Sequence, residues 1–72
     1  MSVSYNRLWK LLIDRGMMKK DLRIQAGITT NALAKLGKGE HVSTEVLAKI
    51  CGVLHCEIQD IVEIIDETNE KQ

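Results

Sequence analysis

The stretch Lys19-Lys20-Asp21-Leu22-Arg23-Ile24-Gln25-Ala26-Gly27-Ile28-Thr29-Thr30-Asn31-Ala32-Leu33-Ala34-Lys35-Leu36 reads as two short helices joined by a turn of about three residues. Leu22 and Ala26 are one helical turn apart and form the buried pair of the first helix. Gly27 supplies the positive φ that lets the chain reverse. Ile28 follows as an apolar plug, and Thr29 is placed to cap the next helix. Leu22, Ile28 and Leu33 are spaced to close the corner into a small core. The first turn of the second helix is left pointing outward with short polar residues on it. A B-DNA major groove ~12 Å wide accepts one such helix, while a preceding helix crosses the backbone and presents amides and cations to phosphate.

The flanking sequence extends the same pattern. Upstream, Ser4 is a capping residue for a helix from about Tyr5 to Arg15, in which Leu8, Leu11, Leu12 and Arg15 follow a helical period and Gly16 provides the stop. Trp9 lies at the edge of this stripe. Downstream, Gly37-Lys38-Gly39 ends the helix that begins at Thr30 and opens a loop through Glu40 and His41. Ser43 caps a fourth helix whose apolar face is Val46, Leu47, Ile50, Cys51 and Leu54. Ile58, Ile61, Val62 and Ile65 have the spacing of a fifth helix, from Glu57 to about Ile64 or Ile65. The second helix has Met18 where a polar cap is expected.

Composition narrows the class. The chain has 72 residues, no Phe, no Pro, one Trp and one Tyr, so one domain with an aliphatic core is expected over 1–72. Its ordered part is expected over about 4–65, with an acidic, frayed tail at 66–72. The formal net charge is zero, yet residues 1–50 hold nine Lys/Arg against four Asp/Glu, and residues 51–72 hold one Lys against six Asp/Glu. A polyanion is attracted to the first part and repelled by the second. No apolar run reaches the ~20 residues that span a bilayer, and the first residues lack signal-peptide organisation, so a cytoplasmic protein with reduced cysteines is expected.

The whole arrangement resembles the Cro/CI-type (XRE, lambda-repressor-like) helix-turn-helix family. Beyond the motif, Gly39 to Leu54 resembles that family's loop and fourth helix, Cys56-Glu-Ile-Gln-Asp-Ile-Val its fifth, and Leu-Leu-Ile-Asp-Arg-Gly16 the end of its first. The resemblance covers about residues 4–65. It implies an all-α, compact five-helix DNA-binding domain that acts as a sequence-specific transcriptional regulator of double-stranded DNA, a prokaryotic or phage repressor. It also implies that Thr30, Asn31 and Lys35 read bases, that Lys19, Lys20, Thr29 and Lys38 contact the backbone, and that two copies bind as a dimer. The side chains suit these roles. Asn31 can hydrogen-bond adenine twice, Lys35 can donate to guanine O6 and N7, and Thr30 can reach a base edge or lay its methyl on thymine.

Three positions depart from the family pattern. Leu12 and Gly37 stand where an Arg–Glu pair is frequent, so apolar packing must replace that pair. Arg23 stands where a small residue is common between the motif helices.

Other functions are weighed against this one. Cys51 and Cys56, with His41 and His55 nearby in sequence, lack the ligand spacing of a structural zinc site. They are read as core and boundary residues, and no metal or cofactor is expected. No nucleophile and base stand in a catalytic context, and a chain of this length leaves little room for a deep cleft, so an enzyme is not expected. The alternative is a protein-interaction module, antitoxin-like or an anti-repressor adaptor, that keeps the fold without specific DNA binding. Trp9, Ile64 and Ile65 are then its candidate contacts, and the same residues serve equally as homodimer contacts.

Overall fold

The structure, a computed structural model, describes residues 2–65. A short strand β1 (Ser2–Ser4) leads into four helices: α1 (Asn6–Asp14), α2 (Lys19–Ala26), α3 (Thr30–Lys38) and α4 (Thr44–Leu54). A 3-10 turn (Ile58–Asp60) and a second strand β2 (Glu63–Ile65) follow. The expected tail at 66–72 lies outside the described residues.

The expected fifth helix is not formed. Among the described residues there are four α-helices, and the segment from Glu57 divides into the 3-10 turn and β2. His55 stops α4 in the left-handed region, at φ 54°. The Glu57 N–H then donates to Asp60 Oδ2 at 2.9 Å, closing one tight turn. Ile61, Val62, Ile64 and Ile65 are β-branched and lose side-chain freedom in a helix. Ser2–Ser4 offers the last two of these a ladder instead: Ser2 pairs with Ile65, Val3 with Ile64 and Ser4 with Glu63, antiparallel. The apparent helical stripe therefore breaks up. Ile61 is fully buried, Val62 is half-buried, and Ile58 is 42% exposed.

The helices otherwise lie close to their expected spans. α1 is one residue shorter at each end, and the Ser4 hydroxyl accepts the Asn6 N–H at 3.3 Å. The start of α2 is stabilised from inside the helix, where Asp21 Oδ2 accepts the Met18 N–H at 3.1 Å. That is the carboxylate half of a capping box, supplied at the third helical position. α3 continues past Leu36 to Lys38, because Gly39, at φ 73°, is the left-handed stop and Gly37 is an ordinary helical residue. The Gly39 and Glu40 amides donate back to Leu36 O (3.2 Å) and Lys35 O (2.9 Å), which satisfies carbonyls that the helix end would orphan. Ser43 caps α4, its Oγ accepting the Val46 N–H at 3.2 Å.

The core consists of Tyr5, Leu8, Leu12, Leu22, Ala26, Ile28, Leu36, Ile50, Leu54 and Ile61. Burying each large aliphatic side chain contributes ~1.5–3 kcal/mol. Leu12 is 2% exposed, whereas Gly37 is exposed on α3. Tyr5 is the core member that periodicity did not indicate. Its ring is buried, and its hydroxyl donates to Glu40 O at 2.8 Å. That bond fastens the start of α1 to the loop leaving α3. Arg7 fastens the other side: Nη1 donates to Gln59 O at 2.9 Å, and Nε lies 3.9 Å from Glu63 Oε1.

Two substitutions test these features. Tyr5→Phe keeps the ring and deletes the bond to Glu40, so unfolding free energy is expected to fall by ~1 kcal/mol, or ~4–8 °C in Tm for a domain of this size. An unchanged urea midpoint would show that the bond contributes nothing. His55→Gly removes a side chain from the left-handed region, where it costs ~1–2 kcal/mol. Part of that gain is lost to glycine's greater freedom in the unfolded chain. The variant is expected to unfold at the same or higher urea concentration than the parent, and a clear loss of stability would count against strain at this residue.

Candidate nucleic-acid interface

The interface is built on the corner between α2 and α3. Gly27 adopts φ 69°, and the amides of Gly27 and Ile28 both donate to Arg23 O, at 3.0 and 3.2 Å. The reversal drives Ile28 into the core. Thr29 is extended, and its Oγ1 accepts the Ala32 N–H at 3.0 Å. The hydroxyl hydrogen of Thr29 remains available to an outside acceptor. The threonine can thus cap α3 and donate to phosphate at once.

α3 turns Leu36 into the core and keeps Ala32 and Leu33 half-buried. Thr30, Asn31, Ala34, Lys35 and Lys38 are exposed. Asn31, Lys35 and Lys38 recur at helical spacing and form one stripe. At nine residues the helix is ~13 Å long, comparable with the ~12 Å width of a major groove. Thr29, Asn31 and Lys35 line a concavity of about 200 Å³, together with Ala32, Val42, Ser43 and Val46. The structure thus brings together three of the expected contact residues and adds Ser43, which the sequence suggested only as a helix cap. Thr30 lies on the first turn of α3 and Lys38 on its last, both exposed outside this concavity. Lys35 and Lys38 also place positive charge at the carboxyl end of α3, where it favours the helix dipole.

Lys19 and Lys20 stand apart from that concavity, at the amino end of α2. They border a separate groove of about 420 Å³ whose other walls are Trp9, Leu12, Ile13, Met17 and Met18. The Lys19 ammonium rests 4.4 Å from the centroid of the Trp9 ring, a cation–π contact that contributes ~0.5–1 kcal/mol at an exposed site. Trp9 and Lys19 lie on different helices, so no local periodicity pairs them. Not every cation of the basic half faces outward to a ligand: Arg7 is tied to Gln59 and Glu63, and Lys49 lies 3.6 Å from Glu45 on the same helix face. Arg23, at the helix crossing, is half-buried, while α2 packs chiefly on α4.

Over residues 7–67 the chain matches the Cro/C1-type helix-turn-helix DNA-binding domain family. Among solved structures it is similar to the crystal structure of the transcriptional regulator VanUg, Form II, with a TM-score of 0.88 and 53% identity. That likeness spans 92% of this chain and 88% of the other. No curated protein matches the chain.

The cysteines lie away from α3. Both are half-buried free thiols at the end of α4, where the His55 and Cys56 amides converge on Cys51 O. Among the described residues no cluster of three or more His, Cys, Asp or Glu side chains is arranged to hold a metal ion. Burial, and next the neighbouring Cys56, push the Cys51 thiol up to about 11 from an ordinary 9.0. The fold therefore favours the neutral thiol. Its contribution is complete below the unfolded-state value near 9 and is lost as pH rises towards 11, because the unfolded chain releases this proton first. The urea midpoint is expected to decline over that window, and Cys51→Ala is expected to flatten the decline between about pH 9 and 10. Superimposable pH profiles for the two proteins would remove Cys51 as its cause.

Proposed function

The chain belongs to the Cro/C1-type helix-turn-helix DNA-binding domain family, and from that premise we propose that it is a sequence-specific repressor of prokaryotic or phage type. The observation that carries this reading is the exposed stripe of α3, with Asn31 and Lys35 beside Thr29 on one concavity. In this reading Thr30, Asn31 and Lys35 face base edges in the major groove. Thr29 and Lys38 hold the strand on either side of α3, and Lys19 and Lys20 hold the strand crossed by α2. The functional unit is the single domain, acting in the cytoplasm. No described helix is long and apolar enough to cross a membrane. The solved relative is itself named a transcriptional regulator, which supports the same role here.

Two copies on a two-fold operator would place their α3 helices in successive major grooves, ~34 Å apart. Ile64, 58% exposed on β2, with Ile65 beside it, is the candidate contact between copies. One observation favours a protein partner as the second reading. Ile13 and Met18, 75% and 71% exposed, stand beside Trp9 at the groove that Lys19 borders. A regulator whose apolar groove adjoins its phosphate contacts is open to displacement from DNA by a protein.

Selection from a random duplex pool, followed by titration at several salt concentrations, tests the reading. Asn31→Ala and Lys35→Ala are each expected to cost ~1–3 kcal/mol on the selected duplex and to leave binding to unrelated duplex nearly unchanged. Lys38→Ala is expected to weaken both equally and to lower the slope of log K against log salt by ~1. Equal losses on both duplexes for the two α3 variants would exclude base readout. Failure of the folded protein to bind any duplex at low salt would favour the interaction module.

A further inference from the structure

Lys19 is a cation held against a neutral surface. Its ammonium lies 4.4 Å from the Trp9 ring centroid, and among the described residues no carboxylate forms an ion pair with it. Asp21, the acidic residue of the same helical turn, has its Oδ2 engaged by the Met18 N–H. The indole is itself partly buried against the core. Trp9 is half-buried on α1 at the edge of the face that carries the buried Leu8 and Leu12, and its groove is walled by Met17 and Met18. A lysine on an open surface gives up much rotamer freedom when it binds phosphate. A lysine already resting on a ring has surrendered part of that freedom beforehand. The π face takes one side of the ammonium without neutralising its charge, and because Lys19 is exposed the ammonium's donors stay accessible on the other.

We propose that Trp9 is a positioning residue for DNA binding, holding the Lys19 ammonium at the amino end of α2 as a preset phosphate clamp. This rests on the DNA-binding reading above. Trp9 reads no base and touches no nucleic acid in this role. It acts through Lys19, so its effect is the same on every duplex sequence. The clamp also couples α1 to the strand crossed by α2, because the indole belongs to one helix and the ammonium to the next.

A double-substitution cycle tests the proposal, using Trp9→Leu, Lys19→Gln and both together, with selected and unrelated duplexes titrated across a salt series. Trp9→Leu is expected to weaken both duplexes by the same few-fold factor. On a Lys19→Gln background the same substitution is expected to have almost no further effect. Trp9→Phe, which keeps a weaker π face, is expected to fall between Trp9→Leu and the parent, and it controls for any loss of folding in the leucine variant. Urea denaturation of each variant separates stability from affinity. The proposal is overturned if Trp9→Leu binds like the parent, or if it weakens binding by the same factor with Lys19 present and absent. Either result leaves the DNA-binding reading standing. Loss of all duplex binding by the parent protein at low salt overturns both.

Discussion

The reversal at Gly27 sets the geometry on which the rest of the molecule depends. A residue with φ 69° between two helices sends the chain back on itself, and the next side chain, Ile28, falls into the core. Ile28 can be buried only if α2 and α3 diverge on either side of it. That divergence places Leu22 and Ala26 against α4 on one side and turns Asn31 and Lys35 to solvent on the other. The backbone groups exposed by the reversal are satisfied locally, at Arg23 O and through the Thr29 hydroxyl. The corner therefore needs no support from a ligand. The same few residues bury the core and expose the candidate reading surface.

This economy explains why the centre of the molecule is the legible part of the sequence. Leu22, Ala26, Gly27, Ile28 and Thr29 each carry a local signal, whether periodicity, a positive-φ requirement or a capping hydroxyl, and their structural roles agree with those signals. The spans of α2 and of the start of α4 follow from the same kind of information. The outward placement of Asn31 and Lys35 is readable because helical spacing assigns them to the outer face once Leu36 is assigned to the inner one, while their candidate role as contacts comes from the family resemblance.

The parts that were not legible depend on partners distant in the chain. Ile61, Val62 and Ile65 have helical spacing, yet Ile65 lies in a strand paired with Ser2–Ser4, while Ile61 and Val62 precede that strand. Tyr5 looked like the first residue of a helix, but its hydroxyl meets a carbonyl thirty-five positions later. Trp9, a candidate contact for another molecule, also has the ammonium of Lys19 over its ring, a pairing between two helices that no local pattern indicates. Ser43 joined the concavity beside α3 because the loop from Gly39 brings the start of α4 alongside it. In each case a contact between separate elements adds what the local pattern does not contain. The missing cap of α2 is the opposite case: Asp21 was in plain view, and the compensating bond was a local one.

The pairing of β1 with β2 gives the molecule an unusual distribution of cooperativity. Residues 2 and 65 are register partners, so the smallest element spans nearly the whole described chain, while each helix is stabilised within a few residues. Closing so long a loop carries the largest entropic cost of any contact in the fold, and a strand pair of three residues has few bonds with which to offset it. The sheet thus acts as a clasp on a helical body. The clasp also borders the carboxyl end of α3, where the Val3 carbonyl lies beside Gly39 and the Tyr5 hydroxyl donates to Glu40 O.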